Sequence, residues 1–332
     1  MSCVRKETID GCNETLAGIR KMQADDPESE QLVSIYAFDT TNSRYIAEDR
    51  PIGQMSDITD RDYSPCGCTP LFDALGYTLT RLKATLEGEQ AMAYVTVITD
   101  GEENASRTYT LQEVSLLIKE LKKKEVIFSF IGANIDAKEY AMQLNITNVI
   151  QFSQDSKGTQ EMWRRERESK QRSHNRRRFW EKFGIKDRRE IAVLENAGSY
   201  YDEMRDHGRF TPERITHLGA NEVFVFGSNI HGDHNGGAAE YALRHFGAVM
   251  GQAEGRQGQS YAIPTVGVSM HDVYEAVLRF VNYARLHQEL TFLVTAVGCG
   301  NAGLPVHEVA MMFYDARNLP NVKLPREFWE KV

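Results

Sequence analysis

A chain of 332 residues with 41% hydrophobic and 26% charged side chains is more than a single small motif and can bury a sizeable core, which excludes wholesale disorder. At ~100–200 residues per domain, the length fits two domains or one domain with a long extension. The 39 Lys and Arg against 47 Asp and Glu leave a net charge of −8, which excludes a surface that coats nucleic acid throughout but not a local basic patch.

The opening segment, Met1-Ser-Cys-Val-Arg-Lys, has no apolar stretch behind its basic start, and nowhere does the chain approach the ~18 uninterrupted apolar residues of a membrane span. It therefore reads as cytosolic, with no membrane partner. The five cysteines, Cys3, Cys12, Cys66, Cys68 and Cys299, form no C-x-x-C pair and are expected as free thiols.

In chain order, Val33–Asp39 is a short apolar run ending in an acid, the pattern of a buried strand, and a second strand is predicted over Tyr45–Met55. Leu71, Leu75, Leu79 and Leu82 share one face of a helix for which Thr69 is the expected cap and Pro70 the first helical residue. Strands at Ala93–Thr99 and Val126–Ile131 flank a helix over Thr110–Lys124. A short helix (Ala137–Leu144), a strand (Asn148–Phe152) and a helix from Ser156 follow. Strands alternating with helices imply an α/β fold with a mostly parallel sheet flanked by helices and a ligand site at the carboxyl ends of the strands.

Twelve Lys/Arg and four Asp/Glu fall between Arg164 and Arg189, so this segment carries 12 − 4 = +8 and the rest of the chain −16. Glu166, Glu168, Glu181 and Asp187 interrupt the basic run, which favours a solvated, partly helical linker over a nucleic-acid tether at residues 164–189. Phe179, Trp180 and Phe183 either dock that helix on a domain, the preferred reading, or stack on bases.

A second α/β pattern begins at Asn221. Strands are predicted at Val223–Phe226, Ser260–Pro264 and Thr291–Val297, and helices at Ala238–Phe246, His271–Leu286 and Val306–Tyr314. This gives three parts: residues 1–173, a linker at 174–209, and a second domain at 210–332. No repeat relates the two domains.

Two constellations carry chemistry. In the first domain, Tyr63-Ser-Pro-Cys-Gly-Cys-Thr-Pro-Leu-Phe-Asp-Ala-Leu-Gly76 places Thr69 at a helix start, and Val95-Thr-Val-Ile-Thr-Asp-Gly-Glu-Glu-Asn104 places Asp100 just past a strand. A hydroxyl and a carboxylate at adjacent strand ends are hard oxygen ligands suited to Mg²⁺, although Thr69 equally suits a helix cap and Asp100 a turn. These two runs, with Phe38-Asp39, resemble the metal-binding loops of a von Willebrand factor A domain over residues 1–173. That resemblance implies a module that holds a protein partner's carboxylate on a metal and is not an enzyme. The family's D-x-S-x-S loop and the central strand before it have no counterpart, because the sequence opens at Met1-Ser-Cys3 where that loop should end. A gene product shortened at its start, with a degraded metal site of Thr69 and Asp100, is the expectation.

In the second domain, Gly227-Ser-Asn-Ile-His-Gly-Asp-His-Asn-Gly-Gly-Ala-Ala239 runs from a strand into a helix, and Gly298-Cys-Gly-Asn-Ala-Gly-Leu-Pro305 follows the last strong strand. Glycines let backbone approach a ligand, and the free amides of a helix start favour an anion. Two such loops on one edge of a parallel sheet can face each other, which suits a diphosphate. The runs Asn221-Glu-Val-Phe-Val-Phe-Gly-Ser-Asn229, Gln259-Ser-Tyr-Ala-Ile-Pro-Thr265 and Val297-Gly-Cys-Gly-Asn-Ala-Gly303 resemble macro-domain-like proteins of bacteria and phages over residues 210–332.

That resemblance implies ADP-ribose as ligand, with its phosphates and distal ribose held by Gly236, Gly237 and Ala238, by Gly298, Cys299, Gly300, Asn301, Ala302 and Gly303, and by the strand end Gly227, Ser228 and Asn229. Hydrolysis of an ADP-ribosyl link would need a base for water, for which Asp233, His231 and His234 are the candidates; each is also an ordinary loop residue. Cys299 has no His or Asp at an activating spacing, so it is expected to pack beside the ligand. Two readings of the whole chain stay open: a nucleotide-binding protein that acts on a modified target, and a scaffold whose glycine loops are only tight turns.

Overall fold

The most apolar run in the sequence, Val-Ile-Phe-Ser-Phe-Ile-Gly-Ala, becomes the central strand of the first of two α/β units, and all eight of its residues are buried. The computed structural model describes residues 4–88, 91–133, 136–184, 188–201 and 209–329. Of these, 4–177 and 188–201 belong to the first unit, and 178–184 and 209–329 to the second. Among the described residues no helix is long and apolar enough to cross a membrane.

In the first unit, helix α1 (Arg5–Asp25) precedes an antiparallel hairpin of β1 (Leu32–Ala37) and β2 (Arg44–Pro51), registered Leu32 to Pro51 and Ala37 to Arg44. The remaining elements alternate: α2 (Leu71–Thr85), β3 (Ala93–Thr99), α3 (Leu111–Lys122), β4 (Val126–Ala133), α4 (Ala137–Gln143), β5 (Asn148–Phe152), α5 (Ser156–Lys182) and α6 (Arg188–Leu194). Strands β3, β4 and β5 form a parallel sheet with β4 in the middle. On one face Phe128 and Phe130 pack with Leu71, Leu75 and Leu79 of α2 and with Val114, Ile118 and Leu121 of α3. On the other, Ile127 and Ile131 pack with Met162 and Trp163 of α5. Period-two alternation on β4 thus feeds two cores, which is why its sequence reads as a continuous apolar run.

Two expectations are corrected here. The second strand stops at Pro51, not Met55, and Ile52–Gln54 turns as a 3₁₀ helix. Thr69 does not cap α2: the cap residue is Pro70, and no side chain of its own caps the helix. The starting amides are taken instead by the loop after β3. Asn104 Oδ1 accepts from Thr69 N (2.8 Å), Glu103 Oε2 from Phe72 N (2.9 Å) and Ser106 Oγ from Asp73 N (3.0 Å). In return Asp73 accepts from the amides of Arg107, Thr108 and Tyr109, each at 2.8 Å.

The basic segment also differs from a solvated linker. Ser173, His174, Arg176 and Arg177 are buried, Arg176 pairs with buried Glu195, and α6 places Ile191 and Ala192 in the interior of the first unit. Glu166 is buried as well, accepting from Thr96 Oγ1 (2.7 Å), Tyr200 OH (3.2 Å) and Tyr201 OH (2.5 Å), with Lys170 Nζ at 3.4 Å. Of the acids that interrupt the basic run, Glu166 is therefore a partner for a cation and hydroxyls inside the fold, Glu168 pairs with Arg164 at the surface, and Asp187 lies outside the described residues. Phe179 and Trp180 are buried in the second unit, where Trp180 meets the edge of Tyr314.

The second unit has β6 (Glu222–Asn229), α7 (Gly237–His245), β7 (Gly255–Gln257), β8 (Ser260–Val266), α8 (Met270–Leu286), β9 (Thr291–Val294), α9 (Val306–Met312) and β10 (Val322–Lys323). Its sheet runs β10-β9-β6-β8-β7, parallel except for β7. Phe224 and Phe226 pack with Ala242 of α7 and with Phe246 on one face. Phe280 of α8 meets Phe292 edge-on on the other side of the sheet.

Gly11 in α1 faces the Trp163 ring, and a Cβ there would sit 2.2 Å from Trp163 Cγ. In an open helix interior Gly→Ala gains about 1 kcal/mol, whereas here overpacking of about 1–3 kcal/mol opposes it. Gly11→Ala is expected to lower the denaturation midpoint of the first unit; a raised midpoint would mean that α1 does not lie against Trp163.

A second prediction concerns acid stability. Burial pushes the Glu103 carboxyl up, but the Ser106 hydroxyl and the amides of Ser106, Phe72 and Ala105 outweigh it and hold its pKa below the ordinary value. Asp73 is lowered in the same way, its burial outweighed by the Arg107, Tyr109 and Thr108 amides. A carboxyl with a depressed folded pKa stabilises the fold above its unfolded pKa of about 4, and that contribution disappears as pH falls through the folded pKa. Glu103→Gln should therefore cost about 1–3 kcal/mol at pH 7 and flatten the fall in melting temperature below about pH 4.5. An unchanged melting profile against pH would reject the role given to Glu103.

Candidate functional site

The second unit's site follows from its topology. From β6 the chain crosses through α7 toward β8 on one side, and from β9 it crosses through α9 toward β10 on the other. Adjacent strands whose connections leave in opposite directions open a crevice at their carboxyl ends. The two glycine-rich loops, 229–237 and 298–304, are the loops that flank this crevice.

Glycine makes two different contributions there. A Cβ at Gly227 would lie 2.9 Å from Thr265 Oγ1 and 3.1 Å from Gly298 N, so its absence lets the second loop close on the end of β6. Gly227 and Ser228 are thus sheet residues, paired with Ile263 and Pro264, and Ser228 is buried. Gly236 and Gly237 instead leave room. Their nearest neighbour across the loops is Asn301 Nδ2, at 3.4 and 3.5 Å from the positions their Cβ atoms would take, and nothing lies within 4 Å of Gly300 or Gly303.

Both loops carry backbone amides without a protein acceptor among the described residues. Helix α7 has Gly236 as N-cap with no side-chain cap, and its first ladder bond is Glu240 N to Gly236 O. The amides of Gly237, Ala238 and Ala239 have no acceptor among the described residues. In the other loop, Cys299 N bonds Ala296 O and Gly303 N bonds Gly300 O, while the amides of Gly300, Asn301 and Ala302 have no acceptor among the described residues. The expected cradle is therefore narrower than the full set of loop residues: Cys299 and Gly303 spend their amides on the turn itself.

The polar side chains of the first loop separate into three roles. Asn229 organises the loop, its Oδ1 accepting from His231 N (3.0 Å) and Asp233 N (2.9 Å) and its Nδ2 donating to Asp233 O (3.4 Å). Its amide is committed to this turn, so a ribose contact would have to displace it. His231 and Asp233 are exposed. His234 is fully buried, edge-on to Phe226 with ring centroids 5.1 Å apart, and neither ring nitrogen has a partner among the described residues. Burial, with Glu327 adding to it, pushes the Cys299 thiol up to about 11, which leaves it protonated at neutral pH and unsuited to nucleophilic attack.

In the first unit, Thr69 and the Asp100 turn do come together, since a Cβ on Gly101 would lie 3.1 Å from Thr69 Oγ1. The neighbouring carboxylates face other partners. Asp39 accepts from the amides of Thr41, Asn42 and Cys66, Asp73 and Glu103 hold the loop after β3, and Asp100 Oδ2 accepts from Gln154 Nε2 (2.5 Å). Among the described residues no three His, Cys, Asp or Glu side chains converge as a metal site. Thr69 and Asp100 alone are a poor fit for tightly held Mg²⁺, and no chemistry is assigned through a metal here.

Glu103, Asn104 and Asp73 went unrecognised in the sequence as the residues that build this edge. Glu103 and Asn104 stand in the Val95–Asn104 run and Asp73 three residues after Pro70, but their role depends on pairing across 31 to 36 positions, for which spacing gives no signal. A separate cleft of about 460 Å³ lies where Pro212–Gly219 passes the amino end of β6, away from the glycine loops, and Glu222 there is held by Gly219 N (2.9 Å). No family model, no curated protein and no solved structure matches this chain.

Proposed function

We propose that the second unit binds ADP-ribose, or a nucleoside diphosphate of the same chemistry, in the crevice between the two glycine loops. In this reading the first unit is a von Willebrand A-like protein-binding module, and the two act together in the cytoplasm on a modified target. The supporting observation is the pair of amide triplets, Gly237–Ala239 and Gly300–Ala302, that have no acceptor among the described residues, on the two loops that flank the crevice. Two amide clusters at a helix start and a turn present partial positive charge to two phosphates. His234, two residues before the α7 N-cap and without a partner, adds a second polar group that a bound oxygen or an ordered water would satisfy.

The scaffold reading leaves these amides to solvent, as at any helix start without a side-chain cap, and the same experiment separates the two readings. Titration of the full chain with ADP-ribose in a calorimeter is expected to show saturable heat. Gly236 has φ −167°, an extended backbone open to any residue, and its side-chain position faces Asn301. Gly236→Trp should therefore fill the crevice without backbone strain, abolishing the heat while the melting temperature stays near that of the unaltered protein. Absence of heat from the unaltered chain at about 1 mM ligand would reject the nucleotide reading, and equal heats from both proteins would reject the placement of the site.

A reading in which the loop also breaks an ADP-ribosyl link assigns the activation of water to Asp233, an exposed carboxylate of the first loop. Asp233→Asn is then expected to keep the binding heat and to lose release of ADP-ribose from a modified protein, measured by chromatography of the freed nucleotide. Equal release by both proteins would remove Asp233 from the reaction.

A further inference from the structure

We propose that Cys66 and Cys68 are a dithiol that closes reversibly to a disulfide, making the loop that carries Thr69 a thiol-modification site. The proposal stands apart from the nucleotide reading, since both residues lie in the first unit. Both are free and exposed. Their backbone amides are fixed on one neighbouring turn: Cys66 N donates to Asp39 Oδ2 (3.2 Å) and Cys68 N to Thr40 Oγ1 (3.1 Å). That turn is itself rigid, with Asp39 Oδ1 accepting from Thr41 N and Asn42 N, both at 2.6 Å.

Gly67 between them has φ +90°, and a Cβ on it would lie 2.5 Å from Thr40 Oγ1. The middle residue therefore packs against the turn, while the cysteines on either side of it are exposed. Residues two apart span at most about 7 Å when fully extended, and the bend at Gly67 shortens that span toward the ~4.4–6.8 Å between Cα atoms that a disulfide requires. Only glycine takes this positive φ without strain, and only glycine clears the Thr40 hydroxyl, so the geometry that presents both thiols depends on the residue between them.

The other described cysteines are chemically different. Burial pushes the thiols of Cys12 and Cys299 up to about 11 in each case, which leaves them protonated and slow at neutral pH. The oxidant is a small-molecule disulfide such as oxidised glutathione. One cysteine thiolate attacks a sulfur of that disulfide, forming a mixed disulfide and expelling one small thiolate, which takes up a proton. The second cysteine thiolate attacks the protein sulfur of the mixed disulfide, forms the Cys66–Cys68 bond and expels the second small thiol. One S–S bond is broken and one formed, the two protein thiols are oxidised, and two small thiols are released. A ring closed across one residue is strained, and strained, exposed disulfides are the readily reduced, regulatory kind.

The test uses the full chain, incubated with oxidised glutathione, alkylated with a maleimide without unfolding, and digested for mass spectrometry. The peptide holding both cysteines is expected to be unalkylated and two hydrogens lighter than the reduced form, and to return to a doubly alkylated form after reduced glutathione is added. In Cys66→Ser the glutathione adduct on Cys68 should persist, because no second thiol displaces it. Two glutathione adducts on one chain, two alkylated cysteines after oxidation, or a disulfide-linked dimer would overturn the proposal. Gly67→Val provides a second check: with the chain still folded by circular dichroism, it should slow closure at least tenfold, and unchanged closure would show that the bend does not present the pair.

Discussion

A backbone amide at a helix start needs an acceptor, and how each helix of this protein meets that need decides where a ligand has room. Helix α3 uses a capping box between Thr110 and Glu113, and α8 uses one between Ser269 and Asp272. Helix α2 draws acceptors from Glu103, Asn104 and Ser106 in another loop. At α7 the sequence Asn-Gly-Gly-Ala-Ala offers no side chain in cap position, and the first amides have no acceptor among the described residues. The same requirement thus closes the carboxyl edge of the first sheet with protein groups and leaves that of the second open.

The closed edge has a consequence for the first unit. Asp39, Asp73, Asp100 and Glu103 near Thr69 already accept from backbone or side-chain amide N–H groups, so their charge is spent on fixing loops. Asp39, Asp73 and Glu103 all have pKa values held below the ordinary range because hydrogen bonds outweigh burial. Such carboxylates are tightly ordered and poor at recruiting a cation, since a metal would have to displace several donors from each. What this edge retains is a precise loop surface, with Thr69, the Asp100 turn and the two exposed thiols side by side.

Much of this architecture was legible in the sequence, and the misses share a cause. Strand β5 at Asn148–Phe152 and the strand at Ala93–Thr99 fall where apolar runs placed them, because burial on both faces leaves an unmistakable pattern. Helix α1 went unread although Ile9, Cys12, Leu16 and Ile19 recur at helical spacing, since the polar residues between them dilute the stripe. The basic segment reads as solvated from the sequence because a count of charges does not show partners. Arg176 with Glu195, and Lys170 with Glu166, become visible only when the strands and helices are assembled. The amide cradle was legible as a glycine pattern, but which amides remain free depended on turn bonds such as Gly303 N to Gly300 O, which composition cannot indicate.

The glycines of the second unit separate structure from function more sharply than any motif does. A glycine kept for packing is one whose Cβ would strike backbone or a buried side chain, as at Gly232, 2.5 Å from Gln252 N, and at Gly227, 2.9 Å from Thr265 Oγ1. Packing supplies no such reason at Gly300, where nothing lies within 4 Å and the backbone lies outside the positive-φ region. Alanine there would gain stability by restricting the unfolded chain, so neither packing nor backbone conformation requires glycine at that point. Gly236 is the same case: its backbone is extended and its nearest neighbour is the flexible end of Asn301. Both positions border the crevice between β6 and β9, and in the nucleotide reading proposed above the space they keep is where an anion would meet the amides of both loops.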